Sequence, residues 1–247
     1  MRVILLIFLM SMVTMVKSDR DLGITLPQLH ICNQRQMELG CIKRSIESLK
    51  PHLKDGLYSL GIPTFNPYYI PTYDFSMSGK YSSTTTFSDI TISGAADFNI
   101  TEFNYARQNM MLKAEFPQIK LRTKYQVMTN YTGKPIKVGR FPLTATFRNV
   151  TADVVIYGEN YDKTETGEEH FEVTNVQVRL NITKIWWSKS SSYNEMMTIY
   201  LKQFFKYQWQ ILMNQIHPTA EWYAAKVIKE TANNIYANFP LSVLCPD

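Results

Sequence analysis

The sequence predicts an α+β protein: an N-terminal helix, a large antiparallel β-sheet, and a long C-terminal helix enclosed by it. Three stretches of distinct period carry this expectation. Apolar residues recur at helical spacing over 41–60, at a period of two from about Phe75 to Trp187, and at helical spacing again from Tyr193.

In the first segment Ile42, Ile46, Leu49, Leu53, Leu57 and Leu60 occupy one face of a helix, with Lys43, Arg44, Glu47, Lys50 and Lys54 elsewhere on the wheel. Pro51 is expected to bend or divide this helix, and Gly56 followed by Gly61-Ile-Pro63 to end it. Pro63, Pro67 and Pro71 then recur every four residues through TFNPYYIPTYDF, which reads as an extended connector without regular structure.

The clearest strand is Ile119–Val127. Ile119, Leu121, Tyr125 and Val127 share one face, and Lys120, Arg122, Lys124 and Gln126 the other. In a second strand, Asn175–Thr183, Val176, Val178, Leu180 and Ile182 oppose Asn175, Gln177, Arg179, Asn181 and Thr183. Such one-face-buried strands belong to antiparallel sheets. Between Phe141 and Tyr157 the apolar parity switches, from Leu143, Ala145 and Phe147 to Val150, Ala152, Val154 and Ile156, so a bulge is expected near Asn149. Thr132-Gly-Lys-Pro and Gly158–Gly167 mark hairpins.

The last segment carries two stripes. Phe205, Trp209, Leu212 and Ile216 form one, and beyond Pro218 a second runs through Trp222, Ala225, Ile228, Ala232, Ile235 and Phe239. Met196, Met197, Ile199, Tyr200, Leu201, Phe204, Phe205 and Tyr207 leave its first part apolar all round, the mark of an enclosed helix.

The chain opens MRVILLIFLMSMVTMVKS, with a basic Arg2, an apolar run from Val3 to Val16, and small residues before a cleavage point. Residues 1–18 therefore read as a signal peptide and 19–247 as a single domain of about 229 residues. Four sequons agree with secretion: Asn99-Ile-Thr, Asn130-Tyr-Thr, Asn149-Val-Thr and Asn181-Ile-Thr. Asn181 lies on the polar face of its strand and Asn130 continues the polar parity of its own, as a glycan requires. With Arg2 and Lys17 removed, the net charge falls from +5 to about +3, which gives no reason to propose a nucleic-acid partner or a strongly anionic membrane. The 15 Tyr, 13 Phe and 4 Trp leave much to bury.

Of three cysteines, Cys32 and Cys41 are separated by eight residues, which fits neither zinc nor thioredoxin-type spacing. In an oxidising compartment the pair is most simply a disulfide. Cys245 is left over, as a free thiol or an intermolecular bond. The four histidines form no metal-ligand spacing, and no nucleophile elbow, P-loop or dinucleotide fingerprint occurs, so neither metal nor cofactor is expected. Glu168, Glu169 and Glu172 around His170 sit among turn residues and read as a solvated hairpin rather than an acid–base cluster.

The segment C-x8-C-I-K-R-S-I-E-S-L-K-P-H-L-K-D-G-L-Y-S-L-G-I-P and the N-P-Y-Y-I-P that follows resemble the start of the insect juvenile-hormone-binding and takeout family. FSDITISGAADFNI, FPQIKLRTKYQV and GRFPLTATFRNVTADV continue the resemblance. YQWQILMNQIHPTAEW and ETANNIYANFPLSVLCPD look like the family's closing helix and tail. The resemblance implies a TULIP-like fold, in which a strongly curved antiparallel sheet wraps a long helix and encloses a hydrophobic tunnel. It also implies a carrier of juvenile hormone, other terpenoids or fatty-acid-like molecules in haemolymph or chemosensory fluid, with a link to feeding or circadian output in some members. Hormone carriers proper have a second cysteine pair, whereas no cysteine lies between Cys41 and Cys245 here. That departure points to the takeout branch and away from high-affinity hormone binding. Cys245 is outside the family pattern.

The residues alone point the same way, because strands with one apolar face and a helix apolar all round must meet. The candidate ligand-binding side chains are Ile46, Leu49 and Leu53 from the first helix and Phe87, Phe98, Tyr125 and Phe147 from the sheet. Trp209, Leu212 and Met213 come from the last helix, and the Tyr125 hydroxyl is the candidate polar anchor. The competing readings are an interaction protein with a side-chain-filled cavity, acting on a receptor or membrane, and a secreted esterase.

Overall fold

The computed structural model describes residues 30–33, 38–77, 83–106, 109–131, 134–164, 167–188 and 195–246. The signal segment expected over 1–18 lies outside them.

Helix α1 spans Leu39–Asp55 and runs through Pro51 undivided. Pro51 falls near its C-terminal end, where little of the ladder remains to be broken. Gly56 ends the helix at φ 86°, its N–H donating to the His52 carbonyl at 2.8 Å. A Cβ on Gly56 would stand 2.9 Å from the Thr64 backbone nitrogen, so the turn requires glycine. Leu57 and Leu60 continue the apolar stripe beyond the helix, in a short 3-10 turn, Tyr58–Leu60.

Six strands follow: β1 Tyr68–Met77, β2 Ser83–Ser93, β3 Asn99–Ala106, β4 Asn109–Tyr131, β5 Lys134–Asp162 and β6 Glu169–Ser188. All pairings are antiparallel, in the order β1-β2-β4-β5-β6, with β3 also on β4. Strands β2 and β3 lie end to end along one side of β4, separated by a turn at Gly94. There the chain passes so close to the Gln118 carbonyl that any Cβ would collide with it.

Two expectations need correcting. The proline-rich stretch is not an irregular connector, because most of it forms β1. That strand is an edge of the sheet, where Pro71 has no second ladder to serve. The parity switch near Asn149 is also not a slipped bulge. Pairing of β4 with β5 and of β5 with β6 keeps one register on both sides of it. Instead, each strand turns two successive residues outward in adjoining rows: Pro117–Gln118, Arg148–Asn149 and Thr183–Lys184. Asn149 accommodates this at φ 51°, in the left-handed region that asparagine tolerates. The whole sheet therefore bends along one line.

Helix α2, Glu195–Tyr236, continues through Pro218 for 42 residues, about 63 Å at the usual rise. Among the described residues no helix is long and apolar enough to cross a membrane. The second half of α2 packs Ala225, Ile228, Ala232 and Tyr236 onto Ala152, Val154, Ile156, Phe171, Val173 and Val176. A second apolar cluster joins α1 to the chain end. Leu53, Leu60, Ile62 and Phe239 form its centre, with the short helix α3, Leu241–Leu244, against it.

Polar side chains of α2 serve the outer edge of β6. Asn233 accepts from the Val173 N–H at 2.8 Å and donates to its carbonyl at 3.0 Å. Glu221 accepts from the Leu180 N–H at 2.8 Å, and Lys229 donates to the Thr174 carbonyl at 2.6 Å. On the opposite side the Thr219 and Tyr73 hydroxyls hydrogen-bond at 3.1 Å, and Asn234 donates to the Gly61 carbonyl at 3.2 Å. The helix thus spans from one sheet edge to the other.

Candidate functional site

Register builds one continuous feature on the inner face. Tyr73 of β1 pairs with Phe87 of β2, Phe87 with Tyr125 of β4, and Tyr125 with Phe141 of β5. Directly opposed residues share a face, so four aromatic side chains form a row across four strands. Tyr73 and Phe87 stack at 6.5 Å between centroids, and Tyr125 and Phe141 tilt together at 5.8 Å. The Tyr73–Thr219 hydrogen bond turns this row toward α2. Tyr125 is 7% exposed, while Tyr73, Phe87 and Phe141 are only half-buried.

The predicted ligand residues fall into two groups. Phe87 and Tyr125 belong to the aromatic row. Leu49, Leu53 and Phe98 meet in the apolar cluster at the α1 end, where the Phe98 ring lies 5.9 Å from Phe116 and under the Lys50 ammonium at 5.1 Å. Ile46 is half-buried on α1. Phe147 is half-buried next to the bend, paired with Ile119 and Ile185. Trp209, Leu212 and Met213 are within α2, but their side chains lie outside those described. Two members of the row were not anticipated. Tyr73 was hidden in the stretch read as a connector, and Phe141 becomes part of the row only through pairing with Tyr125.

Cys32 and Cys41 are joined in a disulfide with 5.9 Å between their Cα atoms, tying the entering chain to the first turn of α1. His30 approaches within 3.5 Å of the Cys41 sulfur. The two sulfurs are bonded to each other and so offer no thiolate to a metal. Cys245 is free, and burial raises its thiol pKa, which keeps it protonated and unreactive at neutral pH.

His170 departs from the solvated-hairpin expectation. Glu168, Glu169 and Glu172 are exposed, but His170 itself is 2% exposed, its ring against Tyr161 at 5.8 Å. Its Nδ1–H donates to the Tyr236 carbonyl at 2.7 Å. Phe171 beside it is buried as well, so alternation does not account for its position; the bond to Tyr236 locks the β5–β6 hairpin to the end of α2. Burial pushes the nearby Tyr236 hydroxyl up to about 12, with smaller contributions from Cys245 and Tyr105.

A half-open cleft of about 230 Å³ lies on the β1 side of α2, lined by Gly61, Tyr68, Glu230 and Asn234 among others. Burial, then Glu230 and Tyr223, raise the Tyr68 pKa. None of the predicted ligand residues lines this cleft, and its mixed walls, with Glu230 and Asn234 beside Pro63 and Val227, differ from the aromatic row.

A curled antiparallel sheet spanned from edge to edge by a long helix defines the class as α+β and TULIP-like. Within that class the chain belongs to the haemolymph juvenile hormone binding protein (JHBP) family, whose sequence profile matches residues 5–246. The fold is similar to the crystal structure of Epiphyas postvittana Takeout 1, with a TM-score of 0.69 and 15% identity over 89% of this chain and 100% of that one. The crystal structure of lipopolysaccharide binding protein is more distant, with a TM-score of 0.35 and 13% identity over 77% of this chain and 38% of that one. No curated protein sequence matches.

Proposed function

We propose that the protein is a secreted, non-catalytic carrier that holds a small hydrophobic ligand in a tunnel between α2 and the inner face of the sheet. The observation that carries this reading is the row Tyr73–Phe87–Tyr125–Phe141. Large aromatic side chains face the helix there and three stay half-buried, whereas beyond the bend the same face is closed by a buried cluster of Val, Ala and Ile with Phe171. Aromatic walls with few polar groups are the lining of ligand cavities. Phe147 extends this wall toward the bend, Trp209, Leu212 and Met213 supply it from the helix, and the Tyr125 hydroxyl anchors the ligand's polar end. Ile46, Leu49, Leu53 and Phe98 form the end of the tunnel near the disulfide.

Family membership supports a hydrophobic cargo, either a terpenoid such as juvenile hormone or a fatty-acid-like lipid. Each buried CH2 of such a ligand contributes about 0.8 kcal/mol. Residues 1–18 are the signal peptide in this reading, and the exposed Asn99, Asn149 and Asn181 are suited to carry glycans together with Asn130. A role in feeding or circadian output goes with the takeout branch.

Native mass spectrometry of the secreted protein, with lipid extraction and displacement of a fluorescent fatty-acid probe, tests the reading. A co-purified lipid that competes with the probe is expected. An empty protein that never displaces the probe would overturn it in favour of a filled interior. Ester turnover lost on changing one Ser or His would replace it with an esterase.

A further inference from the structure

The outer face of the sheet is divided by charge along the same bend. On one side Lys120, Arg122, Lys124, Arg140, Arg148 and Lys184 all point outward from β4, β5 and β6, five of them exposed and Lys120 half-buried. Lys124 is paired with Asp89 at 3.0 Å, which lowers the Asp89 pKa, and the exposed Asp74 on β1 lies in the row of Arg140, so two carboxylates sit among the six cations. Among the described residues the other five have no carboxylate within ion-pair distance. On the far side of the bend the sign reverses: Glu102, Glu115, Asp153, Glu159 and Glu172 are exposed, against only Lys113 and Arg179. The nearly balanced net charge of the chain therefore conceals two opposed fields.

The basic half also carries three exposed apolar side chains, one on each of three sides. Trp186 is 59% exposed on β6 and shares a row with Thr146 and Lys120. Tyr69 is 54% exposed on β1 and lies in the row of Thr91 and Arg122. Met128 is 44% exposed toward the tip of β4. From Tyr69 to Trp186 is four strand spacings, roughly 19 Å, and from Lys120 to Met128 roughly 27 Å along the strand. Asn99 and Asn181 share a row on the acidic half, away from this patch. Asn149 adjoins Arg148 at the bend and Asn130 follows Met128 by two residues, so glycans there would border the patch, and the protein is tested both glycosylated and enzymatically deglycosylated.

From this placement we infer that the basic half of the outer sheet face docks onto an anionic lipid bilayer. Cations bind the headgroup phosphates and carboxylates, while indole and phenol rings at the perimeter sit at headgroup depth. A soluble polyanion would satisfy the cations but give no role to the exposed Trp186 and Met128, so the bilayer is the better complement. The inference goes beyond the carrier reading and does not depend on it, because the surface stands on the other side of the sheet from the aromatic row.

Sedimentation of the full secreted chain, stripped of lipid, with vesicles tests it. Binding is expected to phosphatidylcholine vesicles containing phosphatidylserine and not to phosphatidylcholine alone, and to fall as salt rises. The triple variant Lys120→Gln/Arg122→Gln/Arg148→Gln is expected to lower partitioning on the order of 100-fold. Trp186→Ala should lower it several-fold without changing the salt dependence. Neutralising Glu115 and Asp153 on the acidic half should leave binding intact or raise it. Equal binding to both vesicle types, or an unchanged triple variant with native circular dichroism, would overturn the inference. So would retention on heparin with no vesicle binding, which would make the face a polyanion reader instead.

Discussion

The two halves of the inner sheet face use the same strands in the same register, yet differ in what covers them. Beyond the Pro117–Asn149–Thr183 row, Val150, Ala152, Val154, Ile156, Val173 and Val176 are buried. Most of them lie under the second half of α2. Before it, Tyr73, Phe87, Phe141, Leu143 and Phe147 face inward but remain half-buried, interleaved with the buried Phe75, Thr123, Tyr125 and Ala145. Stability is expected to concentrate in the first half, and the second is the proposed ligand wall.

The strongest way to break this comparison is to truncate one aromatic residue in each half. Phe171 is buried over Gly158, where a Cβ would collide with its ring, and packs edge-on against Tyr236 at 5.1 Å. Phe171→Ala should cost about 3–5 kcal/mol in denaturant unfolding. Phe87→Ala, at a half-buried site, should cost about 1 kcal/mol but weaken probe binding clearly. Equal losses of stability would erase the distinction between the halves.

Removing the disulfide acts on the chain entry rather than on either half. Cys32→Ser with Cys41→Ser should lower stability by about 2.5 kcal/mol. If the α1 end shapes the tunnel mouth, ligand off-rates should rise as well, and an unchanged off-rate would make the pair a plain tether. Asn233→Ala comes next, at about 2 kcal/mol, because both backbone groups of Val173 lose their partner at the packed half. Hydrogen exchange at Val173 should report it locally.

The smallest difference at neutral pH concerns Tyr236. Its folded pKa, about 12, lies above the ordinary value of 10.0, so the fold favours the neutral phenol. That contribution is complete below pH 10 and is lost as pH rises toward 12. Tyr236→Phe should flatten the alkaline limb of the stability profile, and an identical limb in the variant would remove Tyr236 as its cause.

Much of this architecture was legible in period alone. Asn175–Thr183 and the described side chains of Ile119–Val127 alternate as read, and α1 follows its stripe. On α2, Ala225, Ile228 and Ala232 pack inward as expected, but Trp222 of the same stripe is 58% exposed, and the side chains of Phe205, Trp209 and Leu212 lie outside those described. Proline misled twice in one direction. Pro51 lies within a continuous helix and Pro71 in an edge strand, because the penalty depends on neighbours that the local sequence does not specify. His170 was misjudged from its acidic neighbours, and alternation would not have rescued it, because Phe171 next to it is buried too. The aromatic row and the charge division were out of reach for another reason. Both exist only through register, which brings Tyr73 beside Phe87 and Lys120 into the row of Trp186 across the sheet.

The contacts of α2 with the β6 edge also bear on how the protein behaves when crowded. An open sheet presents a row of unpaired N–H and C=O groups on which another copy can add a strand. Here Glu221, Lys229 and Asn233 occupy part of one such row, and Pro71 interrupts the other. The helix that spans the interior thus also acts as a guard against self-association. Loosening it at Asn233 exposes a templating surface, so that variant should aggregate at concentrations where the parent chain stays monodisperse.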